Sequence, residues 1–319
     1  MRISFMGGGS DLPNFYRQRY GAVVSTTLDR YIYITVNTKF DDLIRVSYSK
    51  TEMVESVDEV EHNIIREALK IVGITKGIDI VYMGDVPLGH AGVGLGSSSS
   101  LAVGVLNALY AYTGQHVSAE RLAREACQIE IDLLGHPIGK QDQYAAAYGG
   151  LNYIRFNPDE SVFVDPLICG KETRQALNSK LLLFYTGTTR VSSEILEEQK
   201  ANIAGNGRLL THLVDLADQM SDLIIRKDFR TFGELLHDSW ECKKKLARAV
   251  SNGFIDARYE RARAAGAIGG KVLGAGGGGF LLFCCEEPCQ DAVRGALGDL
   301  KECPFVFEPQ GSKIIYVSD

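Results

Sequence analysis

No apolar run in this sequence approaches the roughly 18 residues a membrane-spanning helix needs, and no basic segment leading into an apolar one opens it. A membrane partner and a secretory route are therefore not expected, and a cytoplasmic protein is. Zinc-type cysteine pairs are missing too. The seven cysteines, at 127, 169, 242, 284, 285, 289 and 303, form no C-x-x-C and have no histidines at metal-ligand spacing. Several lie in apolar segments, as packed, reduced thiols do. Positive charge is in deficit: 34 Lys and Arg against 40 Asp and Glu leave a net charge of −6, which argues against broad nucleic-acid binding. An anionic ligand must then be met by local charges and dipoles. Internal repeats and low-complexity tails are absent. So is the G-x-x-x-x-G-K-[ST] phosphate loop, since Gly135-His-Pro-Ile-Gly-Lys140 and Gly266-Ala-Ile-Gly-Gly-Lys271 have the wrong spacing and no following Ser or Thr.

What is present is a chain of 319 residues, 45% apolar and 23% charged, long enough for two domains, 1–170 and 171–319. Its organising stretch is Pro87-Leu-Gly-His-Ala-Gly-Val-Gly-Leu-Gly-Ser-Ser-Ser-Ser100. A β-branched run, Ile78–Met83, precedes it, and an apolar helical run, Leu101–Tyr110, follows it. Strand, glycine loop and helix start place unhindered backbone N–H groups at the positive end of a helix dipole, which is an anion site. The serines add hydroxyls for phosphate oxygens or for a phosphate-bound Mg²⁺. A flexible linker does not explain the flanking strand and helix. A dinucleotide-binding loop requires an acid ending a second strand about 20 residues on, where this chain has Thr113-Gly-Gln-His-Val-Ser118. The loop reads as a triphosphate cradle.

Other candidates are scattered. Arg2-Ile-Ser-Phe-Met-Gly-Gly-Gly-Ser-Asp11 is a strand running into a glycine turn, with Asp11 placed either to cap a helix over about 12–20 or to work in a site. Strands are expected at 21–28, 31–36, 44–48, 151–156, 162–166 and 180–185, with a helix over 60–72. On the helix expected from Ser118 to about Leu134, Glu130 falls within the arc of Leu122, Ala123, Ala126 and Ile129. It must either snorkel to the rim or meet a cation, a donor or a metal. Asp142 lies in the first turn of the helix 140–148, followed on its face by Ala145, Ala146 and Gly149, which leave room for a ligand. A long helical stretch is expected from about 192 to 248. A second glycine loop joins strands in Lys271-Val-Leu-Gly-Ala-Gly-Gly-Gly-Gly-Phe280, then a helix over 288–300 and strands at 305–308 and 313–317. Without regular βαβ alternation the class is α+β.

Three segments, at Arg2–Asp11, Pro87–Ser100 and Lys271–Phe280, resemble in order the three motifs of the GHMP small-molecule kinases, and the resemblance spans essentially the whole chain. Within that family Gly139-Lys-Gln-Asp-Gln-Tyr-Ala-Ala-Ala-Tyr-Gly-Gly-Leu-Asn152 looks most like the bacterial heptose 7-phosphate 1-kinases and the related fucokinase domains. The resemblance implies a two-domain fold, with an N-terminal domain like ribosomal protein S5 and a ferredoxin-like C-terminal one. It implies an ATP-dependent sugar 1-kinase, with ATP on Gly92, Gly94, Gly96, Ser97, Ser98 and Ser99, and Mg²⁺ on Ser98 and Glu130. Asp142 matches the catalytic acid and Arg2 the basic residue beside it. Gly8, Gly9, Ser10 and Asp11 match the sugar-binding turn, and Gly276 and Gly277 belong to the loop expected to flank it. A second phosphate on the substrate needs cations, and Arg190, Lys243 and Lys244 are candidates; a solvated helix face is the other reading of the two lysines. The alternatives in function are a kinase of an unphosphorylated sugar or a catalytically silent sugar-binding regulator. The working form is expected to be a monomer or a homodimer with a small-molecule partner.

Overall fold

A computed structural model describes residues 1–86, 94–188 and 192–318 of the chain. Among them are twelve strands: β1 (Arg2–Met6), β2 (Gly21–Thr27), β3 (Ile32–Thr38), β4 (Ile44–Ser47), β5 (Thr51–Val54), β6 (Ile78–Gly84), β7 (Leu151–Phe156), β8 (Val162–Pro166), β9 (Leu181–Tyr185), β10 (Ala267–Val272), β11 (Phe280–Cys285) and β12 (Lys301–Glu302). The helices are α1 (Pro13–Tyr16), α2 (Asn63–Val72), α3 (Ser97–Tyr112), α4 (Ala119–Cys127), α5 (Gln141–Tyr148), α6 (Lys171–Ser179), α7 (Ser192–Ala201), α8 (Ile203–Arg226), α9 (Phe229–Lys243), α10 (Gly253–Ala264) and α11 (Glu287–Ala296). The strands make three four-stranded sheets, ordered β1-β2-β7-β8, β3-β6-β4-β5 and β10-β11-β9-β12. Every pairing is antiparallel except β4 with β6, so the chain is α+β. No helix among the described residues is long and apolar enough to cross a membrane.

The period-2 alternation of strands explains the layering. In β2, Ala22 and Val24 join one apolar cluster with Phe5, Leu213, Phe232 and Leu282, while Val23 joins another with Leu106, Ala145 and Ile154. Strand β9 divides likewise, Leu181 and Leu183 facing the first cluster and Leu182 and Phe184 a third around Trp240 and Tyr259. The first sheet is thus a wall covered on both sides, which is why β1 and β2 read as continuous apolar runs. The expected division at residue 170 falls between β8 and α6, yet the core is continuous across it, with Phe5 and Phe232 in edge-to-face contact at 5.3 Å.

Several boundaries differ from expectation. The helix over 12–20 is a single turn, α1. The helix over 60–72 starts at Asn63, with His62 as its cap. The long stretch from 192 divides into α7, α8 and α9; Lys227, in the left-handed region at φ 61°, ends α8, and Asp228 caps α9 by accepting from Thr231 N. β5 was not foreseen. The strands at 305–308 and 313–317 do not form: Phe307 makes one isolated bridge to Leu28, and Ile315 and Tyr316 stay exposed with no strand beside them. Their β-branched composition lacked a partner to pair with.

Candidate active site

Arg2 is the pivot of the site. It sits on β1, 4% exposed, and its guanidinium donates to both carboxylate oxygens of Asp142 on α5, each at 2.7 Å. Its third contact is Nη1 to the Gly94 carbonyl at 2.6 Å, and its backbone N–H donates to Leu95 O. One side chain therefore joins the first strand, the glycine loop and the fifth helix in a bidentate, geometrically fixed pair. Gly96, at φ 69°, makes this approach possible, because a Cβ there would lie 3.2 Å from Asp142 Oδ2 and 3.3 Å from Arg2 Cγ.

Helix α3 begins immediately after Gly96. The N–H groups of Ser97, Ser98 and Ser99 have no acceptor within the helix, so its first turn presents donors and a positive dipole end to the cleft. Glu130 comes to the same place from a π-helical turn, Gln128–Leu133, that continues α4. The wider turn carries its side chain inward. Glu130 is fully buried and does not snorkel: it accepts from Ser98 Oγ at 2.5 Å and from Gln143 Nε2 at 2.6 Å. Burial pushes its pKa up, against the pull of those donors.

Asp11 is 2% exposed and caps not its own helix but α5. It accepts from Gly9 N at 3.0 Å and from Gln141 N at 3.2 Å, and Gly139 passes so close that a Cβ there would fall 2.1 Å from its Oδ2. Burial, then the neighbouring Asp142, raises its pKa. Lys140, just before α5, is tied to Glu160 at the β7–β8 turn, which fixes the helix start from outside.

On the opposite wall are two buried lysines. Lys243, at the end of α9, donates to the carbonyls of Val272 and Gly274; burial, then Arg2, lowers its pKa to about 8. Lys271 on β10 donates to Phe5 O at 2.9 Å, and burial, Lys243 and Arg2 hold its pKa well below the usual lysine value. The cleft between these walls has a volume of about 940 Å³. Its far end is lined by Tyr48 stacked on Tyr82 at 5.6 Å, with the His62 ring edge-on to both.

Of the residues singled out in the sequence, Arg2, Gly8, Gly9, Asp11, Gly94, Gly96, Ser97, Ser98, Ser99, Glu130, Asp142 and Lys243 line this one cleft. Gly92 and Arg190 lie outside the described residues. Four others are not among the lining. Ser10 is buried, its hydroxyl donating to Gly7 O and Ala22 O. Gly276 and Gly277 pack on Val250. Lys244 pairs with Glu241 and keeps the solvated helix-face reading, which Lys243 does not. The sequence reading missed Lys271, Ser4, Gln141 and the aromatic end of the cleft. Lys271 left a signal, a lone cation in the otherwise uncharged strand Ala267–Val272; Ser4 left none.

Two family models match the chain: the GHMP kinases N-terminal domain over residues 59–150 and the GHMP kinases C-terminal domain over 220–300. A D-glycero-alpha-D-manno-heptose 7-phosphate kinase from Campylobacter jejuni is 32% identical over 98% of this chain and 96% of its own. A bifunctional fucokinase/GDP-fucose pyrophosphorylase from Arabidopsis thaliana is 25% identical over 90% of this chain, which spans 29% of that longer protein. Among solved structures, a D-glycero-D-manno-heptose 1-phosphate kinase from Bacteroides thetaiotaomicron superposes with a TM-score of 0.81 at 26% identity, covering 99% of this chain and 98% of that one.

Proposed function

The chain belongs to the GHMP kinases, and from that premise we propose that it moves the γ-phosphoryl group of ATP to the anomeric hydroxyl of D-glycero-D-manno-heptose 7-phosphate. The observation that carries this reading is the Arg2–Asp142 pair, locked against the glycine loop that opens α3. It puts a carboxylate able to take a hydroxyl proton beside amides able to hold a triphosphate. The full-length similarity to a heptose 7-phosphate kinase supports the substrate.

In this reading the amides and hydroxyls of Ser97, Ser98 and Ser99 hold the phosphates. Asp142 orients the acceptor hydroxyl and takes its proton, and Arg2 keeps the carboxylate aimed while adding positive charge where the phosphoryl group moves. Because phosphoryl transfer passes through a loose transition state, the proton leaves late and orientation is the larger share of the work of Asp142. Asp11 holds sugar hydroxyls. Lys243, with Lys271 beside it, supplies the cations that a second phosphate needs.

Mg²⁺ fits what is present. Ser98 Oγ and a Glu130 oxygen are neighbours at 2.5 Å, all-oxygen donors at the mouth of the phosphate cradle. No cluster of three or more His, Cys, Asp or Glu that would suit a protein-only cage occurs among the described residues, and Mg²⁺ commonly takes one or two carboxylates and completes its shell with phosphate oxygens and water. Ser98 and Glu130 would hold the ion, which when bound neutralises phosphate charge.

Asp142→Asn tests the proposal. Turnover should fall by about 10³-fold while ATP affinity, measured by calorimetry, stays within about threefold. A variant retaining more than a tenth of the wild-type rate would remove Asp142 from the mechanism. Faster phosphorylation of free fucose or galactose than of heptose 7-phosphate would overturn the substrate.

A further inference from the structure

Two polar atoms in the cleft floor have no hydrogen-bond partner among the described residues: Ser4 Oγ and Gln141 Oε1, both buried. Ser4 is on β1, two residues from Arg2, and Gln141 immediately precedes Asp142. They converge over Gly8. A methyl built on Gly8 would lie 3.7 Å from Gln141 Nε2 and 4.0 Å from Ser4 Oγ, both ordinary contacts. Gly8 is not in the left-handed region, so its backbone does not call for glycine. The missing side chain leaves space there, framed by two unsatisfied polar groups.

Buried polar atoms are rarely left unpaired, because each carries an unreturned desolvation cost. Gln141 cannot swing away to satisfy itself, since its backbone N–H is held by Asp11 and the next residue by Arg2. The group that completes this spot must donate to an amide oxygen and exchange a bond with a hydroxyl. A hydroxyl both donates and accepts, and it suits the carboxamide in either orientation. A fully ionised phosphate only accepts, and the lysine wall already offers donors for it.

We infer that Ser4 and Gln141 are specificity-determining residues that read a ring hydroxyl of the acceptor beside the one that reacts. The inference rests on the proposal that the acceptor is a sugar, and it assigns the discrimination to these two side chains. A site built to bond a hydroxyl rejects the analogue lacking it, because its own polar groups are then stranded.

The test is a substrate-by-variant cycle, with kcat/KM measured for heptose 7-phosphate and its monodeoxy analogues. In the wild type, removal of one hydroxyl should cost about 10- to 100-fold. Gln141→Leu should lose a similar factor on the full substrate and show no further loss on that analogue, with Ser4→Ala behaving alike at smaller size. Gly8→Ala, whose added methyl makes only ordinary contacts, should fold normally and keep its ATP affinity while raising the sugar KM about tenfold. If the deoxy penalties in Gln141→Leu match those of the wild type at every position, the inference is overturned and the sugar-kinase reading stands. If the wild type phosphorylates no sugar at all, both fall.

Discussion

The two glycine-rich loops of this chain meet back to back: a Cβ on Gly94 would come within 2.5 Å of Leu273 O, and one on Gly274 within 2.5 Å of Gly94 Cα. Their polar groups are used in opposite ways. In the first loop the carbonyls are taken, Gly94 O and Leu95 O by Arg2 and Gly96 O by Ser100, while the next amides along the chain open the long helix α3 without acceptors of its own. In the second loop amides are taken: Leu273 N by Phe280 O, Gly277 N by Val250 O and Gly279 N by Thr188 O. The second loop joins antiparallel strands, so no helix dipole stands behind it. Richness in glycine allows close approach in both; the element after the glycines, helix or strand, decides whether the result is an anion cradle or a brace.

The strongest way to break that contrast is to attack the catalytic side of the first loop. Glu130→Gln removes the carboxylate beside Ser98 and should lower kcat/KM for MgATP by about 100-fold, with Ser98→Ala giving about tenfold. Equal losses from a second-loop substitution that left the fold intact would show that the division of labour is wrong. The converse substitution, Gly276→Ala, meets Val250 O at 2.6 Å at a backbone φ of 109° that alanine rarely adopts. It should cost about 2–3 kcal/mol in urea denaturation, and the folded fraction should turn over within about threefold of wild type.

Much of this was legible before the structure, because the signals were local. A strand, a glycine loop and a helix start announce themselves in adjacent residues, and so does a carboxylate on an apolar arc. The convergence of Arg2, Asp142 and Gly96 was not local, since it depends on sheet order and on α5 crossing over β1; the family resemblance supplied what spacing did not. Ser10, Gly276 and Gly277 look in sequence like ligand residues and are consumed by packing. Lys243 looks like a surface lysine and is 7% exposed, because α9 turns its last residue under the second loop. Gln141 and Ser4 carry no local mark, as an unpaired atom is a property of the whole fold.

Lys243 also sharpens the comparison, since it is through this side chain, held on the Gly274 carbonyl, that the second loop reaches the cleft. Backbone amides do not titrate, but this amine does. With its pKa lowered to about 8, chiefly by burial and also by Arg2, it is charged at pH 7 and loses its proton as pH rises through that value. Asp11 and Asp142 oppose that lowering from β1's turn and α5, and Lys271 faces it from β10. A substrate phosphate stays fully ionised over this range, so deprotonation removes attraction from one partner only. If Lys243 holds that phosphate, the KM for the sugar phosphate should rise about tenfold between pH 7 and pH 9, the factor that a free-enzyme group with this pKa gives. The KM for MgATP, held by the first loop, should stay nearly flat. Lys243→Met should start from a higher sugar-phosphate KM and lose the slope. A variant that kept the wild-type pH profile would assign the phosphate to other cations and leave Lys243 as a strut for the second loop.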